Sequence, residues 1–127
     1  MARKTEGELP LRGLTILVAE DEFLIGVDLA ESLREAGADI RVAADVAMAL
    51  RNVADGKLSA ALLDIRLGRQ TSEAVADALA ARGIPFLFYS GHEPPAALRG
   101  KHPQAMVLIK PAGSDAVIEA VRKIARR

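Results

Sequence analysis

Four short apolar runs in this chain end on residues that can do chemistry. Glu20 and Asp21 follow Leu14–Ala19, Asp64 follows Leu58–Leu63, Ser90 follows Pro85–Tyr89, and Lys110 follows Met106–Ile109. Carboxylates crowded together repel and raise one another's pKa. A hard divalent cation or an ammonium group offsets that repulsion. Oxygen-only ligands suit Mg²⁺, with Mn²⁺ an acceptable substitute. Lys110 can act as a point charge toward a phosphoryl group, and the Ser90 hydroxyl can donate to one of its oxygens. A carboxylate held beside a metal, a lysine and a hydroxyl is equipped to attack phosphorus, which makes Asp64 the candidate nucleophile. Taken singly, each piece has a plainer reading. Glu20, Asp21 and Glu22 suit the first turn of a helix, Asp64 and Ser90-Gly91 suit ordinary turns, and Lys110-Pro111 can be a solvated lysine before a helix. The joint pattern favours chemistry, because all four occur at the same place in four of the five structural units.

Those units can be read from the chain. Leu58–Leu63, bounded by Gly56 and Gly68, is an apolar run of the kind buried on both faces of a sheet. Leu14–Ala19, Asp39–Ala43, Pro85–Tyr89 and Met106–Ile109 read as four more strands. After the first strand, Ile25, Leu29, Leu33 and Ala36 form one helical stripe that stops at Gly37. Asp45 can cap a second helix with Val46, Leu50 and Val53 inward and Gly56 at its end. Thr71 or Ser72 can cap a third that buries Val75 and Leu79 and stops at Gly83. Two prolines and Gly100 leave little more than two turns for a fourth helix after Glu93. Ser114 can cap the last, with Val117, Val121 and Ile124 inward. Strands alternating with helices imply right-handed βαβ crossovers and a parallel sheet covered on both faces. The carboxyl ends of its strands then share one edge, where open α/β sheets bind ligands.

The chain has 127 residues, and half are apolar, which suits one domain with a real core. Residues 1–12 read as a flexible polar tail and 13–127 as the domain. Aromatics are scarce, so the core must be Ala, Val, Leu and Ile. Lys+Arg and Asp+Glu are both 17, and this balance points to neither nucleic acid nor an anionic membrane. There is no cysteine, so disulfides and thiolate chemistry are excluded. No apolar run approaches a membrane span, and the first dozen residues lack a signal-peptide core, so a cytoplasmic location is expected.

From about Leu14 to Ala125 the chain resembles the receiver domain of bacterial two-component response regulators. The resemblance is carried by Ile-Leu-Val-Ala-Glu20-Asp21-Glu, Leu-Leu-Asp64-Ile-Arg-Leu-Gly, Phe-Tyr-Ser90-Gly and Ile-Lys110-Pro111. It implies a flavodoxin-like (βα)5 α/β fold, a doubly wound parallel sheet of strand order 2-1-3-4-5. It also implies that Asp64 accepts a phosphoryl group from a kinase histidine. Asp21 would hold Mg²⁺ directly and Glu20 through water, with the backbone carbonyl of Arg66 as a further ligand. Ser90 and Lys110 would contact the phosphoryl group, and the Lys110–Pro111 bond would be cis. Residues 85–92 are also similar to the signature Pro-Phe-x-Phe-Ala-Thr-Gly-Tyr of a stand-alone receiver subgroup, with Tyr89, Ser90 and His92 replacing Ala, Thr and Tyr.

Two positions depart from the family pattern. Val107 stands where most receivers carry an aromatic that swings inward on activation, and Ala112 replaces the aromatic that often follows Lys-Pro. A β-branched residue is stiff about χ1 and has no ring to bury. The candidate replacement switch is the loop from Gly91 to Pro95 with the short helix after it, and Tyr89 and His92 are the side chains that could take over the aromatic's part. The expected function is therefore a stand-alone, phosphorylatable receiver rather than an enzyme. Its expected partners are a sensor histidine kinase or phosphotransfer protein, and a downstream protein docking on the fourth helix, fifth strand and fifth helix. It would act as a monomer or weak homodimer. Two alternatives stand beside it, a small Mg²⁺-dependent phosphatase using Asp64 and a degenerate receiver that binds partners without phosphorylation.

Overall fold

A computed structural model describes residues 9–126. Five strands form one parallel sheet: β1 (Thr15–Ala19), β2 (Asp39–Ala43), β3 (Ala60–Leu63), β6 (Phe86–Ser90) and β7 (Met106–Ile109). The remaining strands, β4 (Arg66–Leu67) and β5 (Gln70–Thr71), make a separate antiparallel hairpin. The sheet order is β2-β1-β3-β6-β7, which is the expected 2-1-3-4-5 once the hairpin is set aside. Among the described residues four helices connect strands, α1 (Phe23–Glu35), α2 (Val46–Asp55), α3 (Glu73–Ala81) and α4 (Ala96–Lys101), and α5 (Ser114–Ile124) follows the last strand. None of the helices among the described residues is long and apolar enough to cross a membrane.

Because alternate strand residues point to opposite faces, the central strands feed two cores. Ile16, Val18, Leu62, Leu87 and Tyr89 face Leu29 and Leu33 of α1 and Val117 and Val121 of α5. Leu17, Ala19, Leu63 and Phe88 face Val53 of α2, Val75 and Leu79 of α3 and Leu98 of α4. With both faces covered, β3 is buried at every position, which is why its sequence is a continuous apolar run.

Several local expectations change. Residues 1–8 of the expected tail lie outside the described residues, but the fold begins before Arg12. Leu11 is fully buried against the α1–α5 core, and its N–H donates to Ala36 O at 2.8 Å. Leu9 and Leu11, alone in a polar stretch, carried too little periodicity to reveal this. Gly37, with φ +107°, ends the α1 turn in a region closed to most side chains. Gly56 follows α2 with an ordinary φ of −85°, and the need for glycine there is steric, since a Cβ would lie 2.4 Å from Asn52 O. Asp45 caps α2 as expected, accepting from Met48 N–H at 2.8 Å. Ser72 precedes α3, but its hydroxyl makes no cap bond and is buried without a partner. Ser114 opens α5 from inside the helix, behind Gly113, and its hydroxyl instead shares a hydrogen bond with Ser32 of α1 at 3.1 Å.

The far end of α4 is tied to α3 by charge. Lys101 Nζ lies 2.7 Å from Asp77 and 2.8 Å from Glu73, and His102 Nε2–H donates to Asp77 at 2.8 Å. The bonds from Lys101 and then His102 hold the Asp77 carboxyl below its ordinary pKa. Its side chain is 41% exposed, so solvent screens the pair. Asp77→Asn should therefore cost only about 0.5–1 kcal/mol at neutral pH. A carboxyl whose folded pKa is depressed stabilises fully above its unfolded value, and that stability is lost as pH falls through the folded value. Denaturant unfolding of parent and variant across a pH series should show their gap closing on acidification. A gap that widens would contradict the tie.

Candidate functional site

The sheet register gathers the chemistry. Ala19 pairs with Leu63, Leu63 with Phe88, and Ser90 with Ile109, so the carboxyl ends of four strands finish together. Just past the ends, the ladder continues through the functional residues themselves. Glu20 N–H donates to Ala43 O at 2.9 Å, Asp64 N–H to Ala19 O at 3.0 Å, and Lys110 N–H to Ser90 O at 2.8 Å. Each of these side chains is thus aimed by backbone that belongs to the sheet.

Lys110 Nζ donates to Glu20 Oε1 at 2.5 Å and to Asp64 Oδ2 at 3.1 Å. Glu20 Oε2 accepts from Glu22 N–H at 3.1 Å, and Asp64 Oδ1 from Ile65 N–H at 2.7 Å. Asp21 Oδ2 accepts from Gly68 N–H at 2.8 Å, which ties the β4–β5 hairpin to the acidic pair. Burial pushes the Glu20 carboxyl above its ordinary pKa, with the Lys110 bond offsetting part of that rise. Burial alone would lower the Lys110 pKa. Its bonds to Glu20 and Asp64 outweigh burial and raise it, so Lys110 remains an ammonium.

Glu20, Asp21 and Asp64 each offer a carboxylate oxygen, and these lie within 4.8 Å of one another. Three carboxylates against one ammonium leave two excess negative charges, which matches a divalent cation. Ser72 N–H donates to Ile65 O at 2.7 Å, so Arg66 opposite Thr71 is a non-hydrogen-bonded pair of the hairpin. The Arg66 carbonyl is therefore not used by the ladder and remains available as an oxygen ligand. The donor set is all oxygen, as a hard cation requires.

A groove of about 460 Å³ opens over Asp64, lined also by Arg66, Thr71, Ser90, His92 and Lys110. Ser90 is buried at 5% exposure, while Gly91 and His92 are exposed at its mouth. The Lys110–Pro111 bond is cis.

Val107 and Tyr89 fall on opposite faces of the sheet. Val107 packs with Phe88 and Leu98, toward α4. Tyr89 lies in the α1–α5 core, where its hydroxyl bonds to the backbone of Ala112. Tyr89 therefore cannot fill space beside Val107, and this part of the expected replacement switch is corrected. Strand alternation was enough to show it, since Tyr89 adjoins Ser90 and must point the other way. The hairpin at 66–71 left no signal in the sequence. Its strands are two residues each, too short for any period to register.

No family model matches the sequence, and no curated protein matches it. Solved structures do match. A CheY-like response regulator receiver domain protein from Methanospirillum hungatei JF-1 superposes with a TM-score of 0.79 at 18% identity, covering 87% of this chain and 91% of that one. The PhyR response regulator REC domain from Erythrobacter litoralis gives a TM-score of 0.75 at 30% identity, covering 88% and 89%. A response regulator protein from Burkholderia pseudomallei, with a phosphorylated aspartic acid, calcium ion and citrate, gives 0.74 at 22% identity, covering 84% and 65%. A doubly wound five-stranded sheet with an acidic, lysine-bridged site at its carboxyl edge places the molecule among CheY-like α/β domains. The chain belongs to the receiver domains of response regulators.

Proposed function

We propose that Asp64 accepts a phosphoryl group from a phosphohistidine of a sensor histidine kinase or phosphotransfer protein. The observation that carries this reading is the Lys110 ammonium bridging Glu20 and Asp64 at the floor of an open groove. In the transfer, an Asp64 carboxylate oxygen forms a bond to phosphorus as the phosphorus–nitrogen bond of the donor breaks. The electron pair of the broken bond returns to the imidazole of the donor. Lys110 and the Ser90 hydroxyl would receive the phosphoryl oxygens. Glu20, Asp21, Asp64 and the Arg66 carbonyl would hold Mg²⁺ or Mn²⁺, which neutralises the charge gathered there. The phosphorylated aspartate and calcium ion of the Burkholderia pseudomallei relative support this assignment.

Signal leaves by protein docking on the face of α4, β7 and α5. The moving part we propose is the loop from Gly91 to Pro95 together with α4. Its near end follows Ser90, and its far end is pinned to α3 through Lys101 and His102. The likeness of residues 85–92 to the stand-alone subgroup signature supports a receiver that acts without an attached output domain. The balanced charge favours a protein target over nucleic acid.

Incubation with Mg²⁺ and acetyl phosphate tests this reading. A stable mass gain of one phosphoryl group on the intact protein is the expected result. Release of inorganic phosphate without any modified protein favours a phosphatase, and no reaction at all favours a docking module without chemistry.

A further inference from the structure

We infer that Tyr89 is a positioning residue for Lys110, an inference that rests on the acceptor reading above. The Tyr89 hydroxyl accepts from Ala112 N–H at 3.1 Å and donates to Ala112 C=O at 3.3 Å. Ala112 lies two residues beyond Lys110. On the other flank, Lys110 N–H donates to Ser90 C=O at 2.8 Å. The last two residues of β6 therefore grip the chain on both sides of Lys110. The Tyr89 ring also lies 5.6 Å from Lys110 Nζ, within range of a cation–π contact.

Lys110 has to serve two arrangements. In the resting site its ammonium bonds to Glu20 and Asp64; after transfer it must meet a phosphoryl oxygen on Asp64. A flexible four-carbon stem on a loosely held segment would follow Glu20, the closer and more deeply buried partner. Anchoring Ala112 and placing an aromatic face beside the ammonium keep Nζ over the groove when its partners exchange. A tyrosine that merely filled the α1–α5 core would need only its ring. This one spends its hydroxyl on the segment that carries the lysine.

Tyr89→Phe separates the two roles, since it keeps the ring and removes both hydrogen bonds. Three quantities are measured in parent and variant: Mg²⁺ affinity, beryllofluoride affinity in saturating Mg²⁺, and the rate of labelling by acetyl phosphate. We expect Mg²⁺ affinity to be unchanged or slightly higher. Beryllofluoride affinity and labelling rate should each fall about 5- to 10-fold, because a small displacement of a charged group weakens contacts made only to the transferred group. The Lys110 side-chain amine resonance with beryllofluoride should shift relative to the parent. Tyr89→Leu, which also removes the ring, should lower both quantities further. If Tyr89→Phe matches the parent while the parent is labelled normally, the inference is overturned and the acceptor reading stands. An equal drop in Mg²⁺ and beryllofluoride affinity overturns it as well, since that is general loosening. A parent that takes neither acetyl phosphate label nor beryllofluoride defeats the acceptor reading, and the role of Tyr89 falls with it.

Discussion

Asp64→Asn should take up no phosphoryl group from acetyl phosphate under conditions that label the parent fully. The amide keeps the size of the carboxylate and can still accept from Ile65 N–H, but it has no anionic oxygen to attack phosphorus. The variant should fold normally, because removing one of three crowded carboxylates relieves repulsion around a Lys110 that keeps Glu20 as its partner. Intact-mass measurement after treatment, with thermal melting as the control for folding, decides the matter. A labelled Asp64→Asn protein would move the acceptor to another residue.

The second large effect concerns metal. Asp21 is the exposed member of the acidic trio, whereas Glu20 is buried and already engaged by Lys110. Asp21 is therefore the carboxylate freest to take a cation, and Asp64, whose contact to Lys110 is the longer of the two at 3.1 Å, is the next. Asp21→Ala removes one ligand and one of the two excess charges, and Mg²⁺ binding should become undetectable by titration calorimetry. Lys110→Ala should do the opposite, binding Mg²⁺ at least as tightly as the parent, because the competing ammonium is gone. Without metal that variant leaves Glu20 buried beside two other carboxylates and should lose about 1–3 kcal/mol of stability. Mg²⁺ should restore much of this loss, so its melting temperature should respond to the metal more than the parent's does. In the parent, affinity should fall on acidification, since protons compete for the same oxygens and burial raises the Glu20 pKa above its ordinary value. Normal binding by Asp21→Ala would reduce the acidic pair to a helix start.

The large features of this molecule were open to reading in one dimension because each rests on a local rule. Leu58–Leu63 is apolar throughout because β3 is covered on both faces, so its burial left a direct trace in composition. Asp45 caps α2 through a bond spanning three residues, and Gly37 ends α1 because φ there is positive. The carboxyl-edge cluster was legible for a further reason. Parallel strands joined by helical crossovers must finish on the same side, so Glu20, Asp21, Asp64, Ser90 and Lys110 converge once the alternation is recognised.

What the sequence by itself determined, then, is the alternation, the two-sided burial of the strands and the edge at which the reactive groups meet, all consequences of period and covalent order. Only the tertiary structure decided the contacts between residues far apart in the chain. It drew Leu11 against Ala36, bound Asp77 to Lys101 and His102, tied Gly68 to Asp21 and closed the Tyr89 hydroxyl onto Ala112. It also turned Tyr89 away from the Val107 face and set the Lys110 ammonium between two particular carboxylates. A polar side chain or an isolated apolar residue has no periodicity of its own. Its partner is chosen by which backbone groups and charges the packed elements bring within hydrogen-bonding reach, and that distance exists only after the sheet and its helices have closed.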